Sequence, residues 1–68
     1  MTTVITFNTA EHTAVVINDH NTSTFNNVTT IKSCGDVYYE MFQTQDNGIS
    51  APILRSPIES TIIYYIHK

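Results

Sequence analysis

Apolar and polar residues alternate over short stretches of this chain, and the alternation has a period of two. Thr3, Ile5 and Phe7 fall on one side of an extended segment, with Val4 and Thr6 on the other. Ser60 to His67 repeats the pattern: Ile62, Tyr64 and Ile66 line one face, and Thr61, Ile63, Tyr65 and His67 the other. Between these, His12 to Asn18 centres on Val15-Val16-Ile17, an unbroken apolar run that predicts a strand covered on both faces. Thr24 to Lys32 alternates more weakly and reads as one largely polar strand at an edge.

Turn residues punctuate these segments. Asn8 to Glu11, Asn18-Asp19-His20-Asn21 and Cys34-Gly35-Asp36 all read as turns, since Asn and Asp bond their own backbone and tolerate left-handed geometry. Asn47-Gly48 is the pair preferred in a two-residue hairpin. Pro52 and Pro57 place Ile49 to Ile58 at an edge or in an extended loop, because proline donates nothing to a ladder.

The stretch from Val37 to Thr44 admits two readings. Val37, Tyr38, Met41 and Phe42 share a helical face, Asp36 could cap a short helix over 37–45, and Gly48 could end it. Val, Tyr and Phe favour strands, however, and the strand is the preferred reading. The whole predicts an all-β domain over residues 1–68: a small antiparallel meander or barrel-like sheet of five or six short strands.

Composition narrows the function classes. A chain of 68 residues buries too little surface for a generous core, so good packing or self-association has to supplement it. The lone Cys34 makes no internal disulfide. The net charge is −3, and Lys32, Arg55 and Lys68 are too few for a phosphate-binding patch, which argues against direct nucleic-acid binding. No basic segment precedes a long apolar run, and Ile62 to Ile66 is far too short to span a membrane. The expectation is a cytoplasmic protein with no membrane partner.

Chemistry-bearing residues form no motif. Lys32 and the histidines are candidate activating groups for Cys34 beside Gly35, but nothing in the sequence places them at its sulfur, and it reads as a packed thiol. His12, Asp19, His20 and His67 do not have ligand spacing, so no metal is expected. No serine lies in a nucleophile elbow, and Gly35 and Gly48 make no phosphate loop. The expectation is therefore no catalytic residue, no cofactor and no enzyme activity.

The doublets Tyr38-Tyr39 and Tyr64-Tyr65 carry the most information. On a strand one member of each faces the core and the other faces out, where tyrosine suits a protein interface. Tyr38, Tyr39, Phe42, Ile63, Tyr64 and Tyr65 are thus the candidate contact residues. In general character, as a short, motif-free β domain with few charges, the chain resembles accessory proteins carried by bacteriophages and mobile elements. These include anti-CRISPR and other anti-defence inhibitors. The resemblance transfers no residue role; what it implies is a non-enzymatic module that binds a larger protein or protein complex and inhibits it. The alternative is a structural, self-assembling subunit, for example a homodimer joined through the last strand.

Overall fold

A computed structural model describes residues 2–68. It is all-β, as the alternation predicts, with seven strands: β1 (Thr3–Asn8), β2 (Thr13–Ile17), β3 (Thr22–Phe25), β4 (Val28–Cys34), β5 (Tyr38–Thr44), β6 (Ser50–Pro57) and β7 (Thr61–Ile66). One 3-10 turn, Ile58–Ser60, separates the last two. They form two sheets, ordered β3-β2-β1-β7 and β4-β5-β6. All neighbours are antiparallel except β1 and β7, which run parallel. No helix among the described residues is long and apolar enough to cross a membrane.

The core lies between the sheets. Ile5, Phe7, Ala14 and Val16 come from the four-stranded sheet, and Val28 and Met41 from the three-stranded one; all six are buried. Phe25, Ile31, Ile53, Leu54 and Ile63 pack around them. The register sets Ala14 between Phe7 and Phe25, so the smallest core residue receives the two largest neighbours. A buried hydrogen bond between the Ser56 and Thr61 hydroxyls ties β6 to the start of β7.

Two asparagines build turns in the same way. Asn8 Oδ1 accepts from the Ala10 and Glu11 amides, each at 3.0 Å. Asn18 Oδ1 accepts from the His20 and Asn21 amides at 3.0 and 2.9 Å.

Three details depart from the sequence reading. The segment Thr24 to Lys32 is two strands, because the chain corners at Asn26-Asn27, where Asn27 adopts φ +57°. That corner carries the chain from the first sheet to the second, and the Thr44 amide and Gln43 Nε2 fasten it to Asn27 and Asn26 carbonyls. The strand count therefore rises to seven and the single sheet becomes two. Secondly, Val15-Val16-Ile17 is covered on one face only: Val16 is buried, while Ile17 is 45% exposed. Thirdly, the Asn47-Gly48 hairpin is longer than two residues. The Gln45 amide donates to the Ile49 carbonyl and the Gly48 amide to the Gln45 carbonyl, with Gly48 alone at positive φ (+82°). Val37 to Thr44 forms no helix; β5 occupies it from Tyr38 and is the central strand of its sheet.

Candidate functional site

Each sheet turns one face to the core and one away from it, so two outward faces compete as a contact surface. On the three-stranded sheet the register aligns Cys34, Tyr38 and Pro57, then Lys32, Glu40 and Arg55, then Thr30, Phe42 and Pro52. This face is roofed by its own cations. Arg55 lies 5.1 Å from the Tyr38 ring centroid, and Lys32 Nζ lies 5.4 Å from that of Phe42. Arg55 Nε also donates to Glu40 Oε2 at 2.9 Å, which leaves the carboxylate buried although its strand position points outward. Cys34 is half-buried and its thiol donates to Glu40 Oε1 at 3.8 Å. The Tyr38 hydroxyl has its pKa raised, chiefly by hydrogen bonding with Cys34 and against the pull of the Arg55 guanidinium.

The four-stranded sheet presents the opposite case. Its outward rows run Thr22–Ile17–Val4–Ile62 and Thr24–Val15–Thr6–Tyr64, with Ile66 beside Asn8 in the next row. None of these residues is charged. Ile17, Ile62, Tyr64 and Ile66 are exposed, and Val4 and Val15 lie half-buried between them. The unbroken apolar row Ile17–Val4–Ile62, with Val15, Tyr64 and Ile66 set among threonines beside it, is a clustered patch of the kind that suits a contact surface, whereas single exposed apolar side chains are ordinary.

The six residues singled out by sequence are thus divided. Tyr38 and Phe42 lie under the cations of the three-stranded sheet, and Tyr39 is half-buried in the same strand beside Ser33 and Ser56. Ile63 faces inward and packs on the core. Tyr65 shares the inward side of β7, but its ring sits at the open margin of the sandwich, tilted against Phe7 and stacked on His67. Tyr64 alone belongs to the apolar face, at 57% exposure. Val4, Val15, Ile17, Ile62 and Ile66 join it there and were not among the candidates. Their signal was present, since every one is an apolar residue at the outward phase of its strand.

Other concavities offer little. A wide depression of about 400 Å³ at one end is bordered by Glu11, His12, Asn27 and Asp46. Among the described residues no three His, Cys, Asp or Glu side chains gather closely enough to hold a metal ion. Comparisons with protein-family models, with curated proteins and with solved structures found no match.

Proposed function

We propose that this chain is a non-enzymatic protein-binding module that docks through the outward face of its four-stranded sheet. The observation that carries this reading is the contrast between the two outward faces: one is closed over by Arg55 and Lys32, and the other is uncharged and open from Ile17 to Tyr64. A partner that buries an uncharged, largely β-branched surface with one tyrosine on its edge strand needs an apolar patch of its own, with few charges left to desolvate. The class of target implied by the general resemblance to phage accessory proteins is a larger host protein or complex, met in a reducing cytoplasm.

Affinity capture with quantitative mass spectrometry tests the proposal. Wild-type protein and Lys32→Ala should retain the same stoichiometric partner, while Ile17→Glu and Tyr64→Glu, shown by circular dichroism to be folded, should lose it. If Lys32→Ala abolishes capture and Ile17→Glu does not, the contact surface is the other face.

A further inference from the structure

The two sheets have four edge strands, and three of them are defended against pairing. β6 carries Pro52, Pro57 and Arg55 and has an irregular register opposite Phe42; β4 carries Lys32 and an irregularity between Val28 and Thr30. β3 is only four residues long and polar. β7 has none of these devices. It reads Thr-Ile-Ile-Tyr-Tyr-Ile, with no charge, proline or bulge, and four of its six residues, Ile62, Tyr64, Tyr65 and Ile66, are exposed. An edge left flat and apolar is a pairing site.

The direction of its free hydrogen-bonding groups follows from one contact. The Ile66 carbonyl accepts from the Thr9 amide at 2.7 Å, on the β1 side. Alternation then turns the Ile62 and Tyr64 backbone toward β1 as well, and the N–H and C=O groups of Ile63 and Tyr65 toward the open edge. Among the described residues nothing takes up those groups.

We infer that the occupant of this edge is a second copy of the same strand, paired antiparallel about a two-fold axis at Tyr64. In that register Ile63 of one copy faces Tyr65 of the other, twice, so the outward-pointing backbone groups meet as hydrogen-bonded pairs. Tyr64 meets its own counterpart as the close, non-hydrogen-bonded pair, and Ile62 meets Ile66; all are aromatic or β-branched combinations. The product is one eight-stranded sheet in which the apolar faces of both copies are continuous. This goes beyond the docking role of that face and can fail separately from it, because Ile17 lies two strands away from β7.

Sedimentation of the full chain from about 1 μM to about 1 mM should show a concentration-dependent monomer–dimer equilibrium. A monomer throughout overturns the inference. Tyr65→Pro removes an edge-facing donor from each copy and no bond to β1. It should raise the dimer dissociation constant about 10- to 100-fold, and more than Tyr65→Ala, which keeps the N–H. Equal effects, or none, would place the dimer contact elsewhere. Ile17→Glu should leave the dimer intact, so loss of partner capture in that variant reports on the face and not on the edge.

Discussion

His12 offers a substitution whose sign is the test. It adopts φ +57°, where an L residue with a Cβ is strained by roughly 1–2 kcal/mol. Its side chain is exposed, and the bond that anchors the turn, from the Val28 amide to the His12 carbonyl at 2.8 Å, is made by backbone. His12→Gly therefore keeps the anchoring bond and relieves the strain. Glycine's greater freedom in the unfolded chain offsets about 0.5–1 kcal/mol of that relief. The net expectation is a gain near 0.5 kcal/mol, or about 2–4 °C in midpoint for a domain this small. Gly48→Ala is the converse. Gly48 sits at φ +82° with nothing within 4 Å of an added Cβ, so its cost is conformational alone: about 1–2 kcal/mol of strain less the same glycine offset, a net loss of about 0.5–1 kcal/mol. Urea unfolding of both variants, with slopes compared to confirm an unchanged transition, gives both numbers. A His12→Gly protein less stable than wild type by ~1 kcal/mol would refute the reasoning and assign the imidazole a stabilising contact.

Other expectations follow from the same geometry. Met41 is 1% exposed at the centre of the core, so Met41→Ala should cost about 2–5 kcal/mol by denaturant titration, against a total of roughly 3–10 for a chain this size; a loss below ~1 kcal/mol would mean that the two sheets do not share this core. Ile17→Thr, on the outward face, should change stability by less than about 1 kcal/mol while reducing partner capture; a large loss of stability would show that Ile17 supports the fold rather than contact. Because the folded pKa of Tyr38 is raised, the stability it contributes is present below the ordinary phenol range and is lost as pH rises through the folded value. Cys34→Ala should move Tyr38 ionisation back downward in a spectrophotometric titration referenced to Tyr38→Phe, and an unmoved midpoint would remove the thiol as the cause.

Alternation made most of the strands legible. Ile5 with Phe7 and Thr61 with Ile63 face inward as the period of two requires, and the asparagine turns close through the side chains that motivate them. The corner at Asn26-Asn27 was not legible, because two asparagines inside a polar strand pattern look like two more polar positions. Nor was the parallel pairing of β1 with β7, since nothing local distinguishes a strand that will pair 58 positions away. The proposed contact surface was partly hidden for a similar reason. A doublet of tyrosines is conspicuous in sequence, but whether a ring lies bare or beneath a cation depends on the neighbouring strand. Arg55 and Lys32 cover Tyr38 and Phe42 from such neighbours, whereas Tyr64 has only Thr6 beside it.

The β1–β7 ladder also sets the tempo of folding. Every pair in it shares the 58-residue separation of Thr9 and His67, and bringing such distant segments together carries a length-dependent closure cost of roughly 3–4 kcal/mol before any contact is made. The local hairpins, β1 with β2 and β5 with β6, close over far shorter loops and should form first. During that interval β1 has one side unpaired and β7 is loose. At protein concentrations approaching the effective concentration of the tethered strand, of millimolar order, a β7 segment from a neighbouring molecule can then take the vacant place in the same parallel register. Refolding should consequently be slow, and at high concentration it should yield exchanged dimers, in which each β7 completes the other molecule's sheet.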